Sequence, residues 1–293
     1  CLSAMDLTLL GIGAIIGAGI FVLTGIAAAK SAGPAIVLSY VVSGFACAFA
    51  ALAYAELAAS VGGCGSAYGY AYAGLGEFIA WIIGWDLILE YGVATAAVAI
   101  GWAGYVNNAL TAMGMPLPMT LLKSPVEGGI VNLPALMIVL TLAVLLAIGI
   151  RQSARFNAVM VLVKLLAITT FVAVAAFHVQ PANWTPFMPF GWEGVMGGAA
   201  LIFFAYIGFD AVSTAAEEAV NPQRDLPIGI LASLAVCTVI YVVVAGLLTG
   251  IVPYHTLNVA SPVADSLLRI GYPWAAAFIA AGAIAGLTTV MLV

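Results

Sequence analysis

Four ionisable side chains interrupt long apolar stretches of this sequence, and each marks a place where chemistry is expected: Asp86, Glu90, Lys164 and Asp210. A charge inside a hydrocarbon layer is unfavourable, so such residues usually face a cavity or a partner. Lys164 lies roughly 12 Å into its stretch at the helical rise of 1.5 Å per residue. Its ammonium group either snorkels to the interface or is a functional, titratable group at depth.

Asp86 and Glu90 are four positions apart, which places both carboxylates on one face of a helix. Glu90 lies about 18 Å into the apolar stretch at the same rise. It is interpreted either as a protonated or hydrogen-bonded packing residue, or as a proton carrier or counter-charge for a substrate. Asp86 is shallower, and we expect a structural or gating role for it.

Asp210 lies inside another apolar stretch, in the string FFAYIGFDAVSTAAEE. It is predicted to be the N-cap of a half helix or a gating residue. An N-cap at this position requires the preceding helix to be broken over residues 207–209. The carbonyls of Phe204, Ala205 and Ile207 would then lack helical partners, and free carbonyls are what a substrate ammonium needs.

The first apolar stretch, GIGAIIGAGIFVLTG, is rich in glycine, which is unfavourable inside a helix by about 1 kcal/mol relative to alanine. The spacing of Gly13 and Gly17 is typical of close helix packing in membranes. The alternative is an unwound segment near residues 15–19, whose free N–H groups would face an anion such as a carboxylate. Unwound backbone is tolerated within a membrane only where it lines a cavity, so this alternative predicts a binding site.

The composition limits the elements that can position these residues. Apolar residues make up 65% of the 293 residues and charged residues 6%, against roughly 45–50% and 25% in soluble domains. This excludes an ordinary soluble enzyme, a disordered chain and a nucleic-acid binder, which needs a basic face. An all-α membrane protein remains. About eight stretches are long enough to span a bilayer: residues 7–29, 35–55, 78–111, 133–150, 156–179, 194–216, 228–252 and 274–293.

We number these stretches as the first to the eighth span. The third is long enough to tilt or to extend past the membrane. The segment SAYGYAYAGLGE, between the second and third spans, is predicted to be an interfacial helix with an aromatic face. The first and sixth spans are the broken candidates, and that spacing is typical of a five-plus-five inverted repeat whose site lies at the repeat interface.

Other kinds of site find little support in the sequence. We identify no metal-ligand spacing, phosphate-binding loop or nucleophile elbow, so we expect no metal and no cofactor. A retinal-type photoreceptor is disfavoured because Lys164 lies in the fifth of at least eight spans. An intramembrane aspartyl protease is disfavoured because the sequence around Asp210 lacks the pattern of such enzymes. The cysteines show no paired spacing and are interpreted as small buried hydrophobic residues: Cys1, Cys47, Cys64 and Cys237.

Characteristic strings are spread along the chain: GIGAIIGAGIFVLTG, GWDLILEYG, RQSARFNAVMVLVK, NWTPFMPFG and FFAYIGFDAVSTAAEEAVNPQRDLPIGI. Together they resemble the cationic amino acid transporter family of the amino acid–polyamine–organocation superfamily. The resemblance covers essentially the whole chain and implies a core of two five-helix inverted repeats. Residues 1–179 would form the first repeat, and residues 180–293 would form part of the second, spans six to eight. Because the chain ends within an apolar run, we expect a C-terminally truncated transporter.

The resemblance also implies roles for individual residues. Gly17, Ala18 and Gly19 match the place where backbone N–H groups bind the substrate carboxylate, although Ala18 lacks the hydroxyl that relatives often have there. Glu90 would face the substrate side chain, and Lys164 would stand where sodium-coupled relatives hold a sodium ion. The substrate ammonium would bind backbone carbonyls, which belong to Ile15, Phe204, Ala205 and Ile207.

These roles predict a secondary active transporter that imports L-amino acids, cationic or small neutral ones or both, by proton symport and alternating access. A sodium-coupled or exchange-type transporter of amino acids or polyamines is the alternative. The expected partners are an L-amino acid, a proton and the lipid bilayer, with no nucleic acid, and the sequence indicates no oligomeric state. Basic residues divide evenly between the two sides of the membrane. The resemblance implies a multi-pass protein of the cell membrane with a cytoplasmic N-terminus.

Overall fold

The computed structural model describes residues 2–61, 63, 65–147 and 154–292. Within these ranges the chain is helical, and the β-contact present is a bridge between Leu2 and Ala219. The all-α prediction is therefore confirmed. The principal helices are Ala4–Ile15, Ile36–Ser60, Ser66–Leu75, Glu77–Ala112, Leu133–Ala147, Ala154–Ala176, Gly191–Ile202, Pro222–Ile251, Pro262–Arg269 and Pro273–Leu292.

Six helical segments of the described chain are long and apolar enough to cross a membrane: Gly19–Ser60, Glu77–Ala112, Val159–Ala176, Gly191–Glu218, Pro222–Ile251 and Pro273–Leu292. They are fewer than eight partly because the second half of the first span runs on into the second span. The fourth-span helix, Leu133–Ala147, has only 15 residues and ends where residues 148–153 lie outside the described ranges. The chain is thus a multi-pass membrane protein, whereas the number of spans and the repeats at 1–179 and 180–293 stay predictions.

The first span is broken at the predicted place. The first helix covers Ala4–Ile15, and the Ser3 side chain caps its N-terminus. The residue after it, Ile16, has a ψ of 100°, which is extended rather than helical. The chain becomes helical again at Gly19–Leu23, which has the wider π-helical hydrogen bonding. A break in a membrane helix leaves backbone groups without intrahelical partners, so those groups must find other partners or line a cavity.

The sixth span is also broken at the predicted place. Gly191–Ile202 continues through a turn of 3-10 helix, Phe203–Tyr206, and then ends at Ile207, which has a ψ of 135°. The following Gly208 has a φ of +110°, a conformation that side-chain-bearing residues rarely adopt. A 3-10 helix then runs over Asp210–Glu218. Both spans are therefore broken within the segments that the sequence predicted.

The N-cap prediction for Asp210 is wrong. The N-cap position of the second half of the sixth span is Phe209, and no side-chain cap hydrogen bond is present there. The carboxylate of Asp210 instead accepts a hydrogen bond from the hydroxyl of Tyr91, 2.6 Å away on the third span. A short side chain can bond to its own helix terminus or to a neighbouring helix, and only the packing decides between the two.

The third span is long enough to tilt or to extend past a bilayer, as predicted. Its helix, Glu77–Ala112, has 36 residues and is about 54 Å long, against roughly 30 Å for a hydrocarbon core. The predicted interfacial helix is Ser66–Leu75. It joins the second half of the sixth span, because Ser213 donates a hydrogen bond to Ser66 over 3.3 Å. This contact ties the interfacial helix to a segment that follows one of the breaks.

The seventh span packs closely against the first through small residues. A Cβ atom added to Gly11 would lie 2.5 Å from the hydroxyl oxygen of Ser233, and one added to Gly229 would lie 2.8 Å from the Cβ of Leu7. Close packing by glycine, an alternative interpretation of the first span, is therefore present alongside the break. Two predicted buried cysteines are described, and both are buried and free: Cys47 and Cys237. The other two lie outside the described residues: Cys1 and Cys64.

Candidate substrate site between the broken helices

A cavity of about 210 Å³ lies where the two broken spans face the third and eighth spans. Its walls are mainly apolar, with two hydroxyl side chains on the third span, Tyr91 and Thr95. A mostly apolar cavity with a few polar groups is the usual form of a small-molecule site. Ligand-sized space therefore lies beside both breaks. The residues that line it are Ala14, Tyr91, Ala94, Thr95, Val98, Leu146, Ile207, Gly208, Ala211, Val290, Met291 and Leu292.

The two breaks approach each other closely at glycine positions. A Cβ atom added to Gly208 would lie 3.0 Å from the carbonyl oxygen of Ala14, beside the end of the first half helix. A Cβ atom added to Gly19 would lie 2.3 Å from the Cβ of Ala205. Larger residues at either position would push the first and sixth spans apart, so glycine permits this approach.

The first-span break leaves backbone donors free. The N–H groups of Gly17 and Ala18 make no hydrogen bond to the residues that the structure describes. Gly17, Ala18 and Gly19 are all buried, and they precede or open the helix that continues from Gly19. Free N–H groups at a helix N-terminus favour an anion, which agrees with the carboxylate role predicted for this segment.

The carbonyls predicted to bind an ammonium are only partly free. The hydroxyl of Tyr241 lies 2.8 Å from the carbonyl oxygen of Ile15 and 2.9 Å from that of Ala205. The carbonyl of Phe204 accepts the backbone N–H of Ile207 at 3.3 Å, so the expectation that it lacks a helical partner is wrong. The carbonyl of Ile207 receives no hydrogen bond from any described residue. Tight 3-10 winding before the break accounts for the difference at Phe204.

Tyr241 is the residue that sequence reasoning missed. It lies on the seventh span, it is completely buried, and its one hydroxyl reaches both broken spans. It also packs against Tyr40 and Tyr206, with ring centroids 5.2 and 5.5 Å away. A tyrosine within an apolar span was the available signal, because a buried hydroxyl usually has a hydrogen-bond partner.

Lys164 reaches the first-span break from the fifth span. Its side chain is 1% exposed, and its ammonium nitrogen donates to the carbonyl oxygens of Gly13 at 2.7 Å and Ile16 at 3.0 Å. Its methylene groups lie against the eighth span, since a Cβ atom on Gly286 would be 3.0 Å from Cε. The snorkelling alternative is therefore wrong. The ammonium donates hydrogen bonds to carbonyls that have no helical donors at the end of the first half helix.

The acidic residues do not all lie at this site. Asp210 is 5% exposed and accepts its hydrogen bond from Tyr91, which lines the cavity. Glu90 is half-buried and directly precedes Tyr91, the hydrogen-bond partner of Asp210. Asp86 is exposed, lies away from the cavity lining, and makes no hydrogen bond to a described residue. The structure thus links Asp210 to the cavity through Tyr91 and leaves Asp86 apart.

No cluster of His, Cys, Asp and Glu within the described residues has a geometry that could hold a metal ion. The polar side chains that line the cavity are the hydroxyls of Tyr91 and Thr95. The two breaks and their neighbours add backbone N–H and carbonyl groups, the Lys164 ammonium and the Asp210 carboxylate. Groups of this kind are donors and acceptors suited to holding a small zwitterion, and the amine of Lys164 is engaged by two carbonyls.

Comparison with known proteins gives the wider context of this arrangement. A model of the family described as amino acid permease matches residues 2–293. The branched-chain amino acid permease BcaP of Bacillus subtilis is 54% identical over 297 residues, which cover 100% of this chain and 64% of the relative. The methylthioribose transporter of the same species is 50% identical over 293 residues, 99% of this chain and 64% of the relative.

A human relative is more distant. Cationic amino acid transporter 4 of Homo sapiens is 40% identical over 299 residues, which cover 100% of this chain and 47% of that protein. The chain therefore spans less than two thirds of the length of these relatives. All three are named as permeases or transporters rather than as enzymes.

Proposed function

Since this chain belongs to the amino acid permease family, we propose that it forms part of a secondary active transporter that imports L-amino acids. The substrates proposed are cationic or small neutral amino acids, or both, moved by alternating access. The observation that carries this proposal is the pair of helix breaks beside one cavity. Broken helices at a shared cavity are the usual substrate site of transporters with inverted repeats.

The amino acid backbone has complementary partners in both helix breaks, although Ile207 is the only one of them that lines the cavity itself. The free N–H groups of Gly17 and Ala18, with Gly19, suit the carboxylate. The carbonyls of Ile15, Ala205 and Ile207 suit the ammonium. A carbonyl oxygen has two lone pairs, so the Tyr241 hydroxyl and a substrate ammonium can share Ile15 and Ala205.

Lys164 is proposed to couple transport to protons. As an ammonium it makes charge-assisted hydrogen bonds to Gly13 and Ile16, which tie the fifth span to the first-span break. Loss of the proton weakens this tie and shifts the balance between inward-facing and outward-facing states. Sodium coupling is the alternative, and the ammonium weighs against it because a cation and Na⁺ would compete for the same carbonyls.

The proposed setting is the cell membrane, with the N-terminus in the cytoplasm. Residues 1–179 are proposed as the first inverted repeat and residues 180–293 as part of the second, with one broken helix in each. The chain spans less than two thirds of its curated relatives, and we therefore place the transport activity in the complete protein that contains it.

The decisive experiment uses that complete protein, purified into liposomes. Uptake of radiolabelled L-alanine is measured with an inward proton gradient, an inward sodium gradient or neither. Unlabelled arginine, lysine, leucine, putrescine and methylthioribose serve as competitors. We expect proton-stimulated uptake that other L-amino acids inhibit. Inhibition by methylthioribose alone would contradict the amino acid proposal, because that sugar lacks the carboxylate and ammonium that the breaks complement.

A further inference from the structure

We propose that the hydroxyl groups of Thr24 and Tyr40 are a positioning pair for the substrate carboxylate. They hold the wide turn at Gly19–Leu23, with which the second half of the first span begins. This turn fixes where the free N–H groups of Gly17 and Ala18 lie. The inference rests on the proposed amino acid transport and adds two residues, neither of which lines the cavity.

Both hydroxyls meet at one backbone atom, the carbonyl oxygen of Gly19. The Thr24 hydroxyl lies 3.0 Å from this oxygen and the Tyr40 hydroxyl 3.3 Å from it, and the two hydroxyl oxygens are 2.6 Å apart. Each hydroxyl has a single proton. One hydroxyl therefore donates to the carbonyl while the other donates to its neighbour, and the shorter distance favours Thr24 as the donor to the carbonyl. The two side chains act as one unit.

The bond from Thr24 to Gly19 is specific to the wide turn. The backbone N–H of Thr24 already donates to the Gly19 carbonyl, five residues earlier, so the hydroxyls are not needed to satisfy this acceptor. A threonine within an α-helix bonds the carbonyl three or four residues earlier, as Thr249 does with Ala245 at 3.0 Å. A side-chain bond to a carbonyl five residues earlier requires the wider turn. The pair therefore stabilises the wide turn relative to an α-turn.

The second span holds Tyr40 in place at this turn. Tyr40 and Thr24 are both completely buried. The ring of Tyr40 packs against Tyr241 and Tyr206, with centroid distances of 5.2 and 6.3 Å. The backbone carbonyl of Tyr40 accepts a hydrogen bond from the Tyr206 hydroxyl at 2.9 Å, and Tyr206 directly precedes the break of the sixth span. The hydroxyl pair thus ties the wide turn to an aromatic cluster that reaches both breaks.

Loss of the wide turn would move the donors of the first break. A turn closed by a bond between residues five apart contains one residue more than an α-turn. If it tightened, the residues before it would rotate about the helix axis by roughly 100°, the angle of one residue in a helix of 3.6 residues per turn. Those residues are Gly17 and Ala18, whose N–H groups bond to no described residue. Recognition of the carboxylate therefore depends on the turn.

The test measures recognition of the carboxylate by the complete transporter in liposomes. L-Alanine and L-alaninamide, which has a similar shape without the negative charge, each compete against radiolabelled L-alanine. We expect alanine to compete at least about tenfold more strongly in the wild type, as befits hydrogen bonds to a charged group. Thr24→Val and Tyr40→Phe should each lower this ratio at least about threefold, the effect of one neutral hydrogen bond. The double variant should lower it no further, because the two hydroxyls act as one unit.

Two further variants separate positioning from general stability. Thr24→Ser restores the hydroxyl and should restore the ratio. Thr249→Val removes a hydroxyl from an equally buried threonine that bonds carbonyls of its own helix, and it should leave the ratio unchanged. Tyr40→Phe removes a single oxygen atom and carries the test if Thr24→Val does not fold.

The outcomes distinguish this inference from the proposed function. Saturable alanine uptake with a wild-type ratio in Thr24→Val and Tyr40→Phe overturns the positioning pair and leaves amino acid transport standing. An equal fall of the ratio in Thr249→Val overturns it as well. Absence of uptake of any amino acid by the wild type overturns both proposals. A fall of the ratio in Thr24→Val and Tyr40→Phe, but not in Thr24→Ser or Thr249→Val, supports the inference.

Discussion

The ammonium nitrogen of Lys164 lies 2.7 Å from the carbonyl oxygen of Gly13, so the fifth span holds the broken end of the first. A second bond to the carbonyl of Ile16 reaches the first extended residue after the helix. One side chain thereby satisfies two carbonyls that the break leaves without helical donors. The proposed coupling therefore predicts that the break responds to the protonation of Lys164.

Replacement of Lys164 by alanine should abolish proton dependence. The change leaves the carbonyls of Gly13 and Ile16 without donors, so the protein should also lose about 1–3 kcal/mol of stability. Alanine uptake driven by an imposed proton gradient is the first measurement, and exchange of internal for external alanine is the second. We expect exchange to continue while the gradient no longer drives accumulation. Lys30→Ala, an exposed lysine, is the control; an unaltered response to the gradient in Lys164→Ala would contradict the coupling role.

Replacement of Gly208 by alanine should separate the two breaks. The residue has a φ of +110°, and an added Cβ atom would lie 3.0 Å from the carbonyl oxygen of Ala14. We expect a loss of about 1–3 kcal/mol from backbone strain, together with loss of most uptake. Thermal unfolding in detergent and uptake in liposomes measure the two effects. Gly197→Ala is the matched control, because a Cβ atom there meets nothing within 4 Å. Equal behaviour of the two variants would show that the approach of the breaks is unimportant.

Replacement of Tyr241 by phenylalanine should loosen both breaks at once. The hydroxyl is 2.8 Å from the Ile15 carbonyl and 2.9 Å from the Ala205 carbonyl. Its removal leaves these buried acceptors unpartnered, at about 1–3 kcal/mol, and weakens the placement of the ammonium site. We expect a higher KM for alanine and a lower unfolding temperature. The exposed Tyr68→Phe serves as the control; a Tyr241→Phe protein with wild-type KM and stability would refute this role.

The cap of the first helix should depend on pH at its exposed end, before the first span. Hydrogen bonds from the side chain and the backbone of Ser3 hold the pKa of the Asp6 carboxyl below its ordinary value of 3.8. A carboxylate with a lowered pKa stabilises the fold above the unfolded-state pKa, and this stability is lost as the pH falls through the folded-state pKa.

Asp6→Asn should therefore be slightly less stable than the wild type near pH 7, by a few tenths of a kcal/mol. The difference should shrink as the pH falls below about 4. Thermal unfolding of both proteins over that pH range is the measurement, with Glu56→Gln as an exposed control. A difference that grows on acidification would have the wrong sign for this cap.

The two helix breaks were predictable because glycine and a buried acid are locally unfavourable in an apolar helix. Gly17 and Gly208 predict these breaks, because glycine is unfavourable inside a helix and tolerates backbone conformations that other residues avoid. Such preferences belong to single residues and their immediate neighbours. The breaks are found at Ile16 and Ile207, within the predicted segments. The position of Lys164 along its helix follows from counting residues, whereas its burial against the first break was left open by the sequence.

The hydrogen-bond partners were not predictable in this way. Asp210 was expected to cap its own helix, yet its carboxylate meets Tyr91, which is 119 positions away in the chain. The hydroxyl of Tyr241 reaches a carbonyl that is 226 positions away. Neither partner leaves a periodic signal, because such contacts depend on how separate helices pack and rotate against one another.

The sequence by itself determined the membrane class, through its 65% apolar composition, and located the weak points of two helices. Those properties follow from transfer free energies and backbone preferences, which act residue by residue. Only the tertiary structure decided that the breaks lie beside one cavity, that Lys164 bonds the first of them, and that Tyr91, which lines the cavity, donates to Asp210. These relationships depend on the mutual positions of helices that are far apart in the chain, so the folded packing alone establishes them.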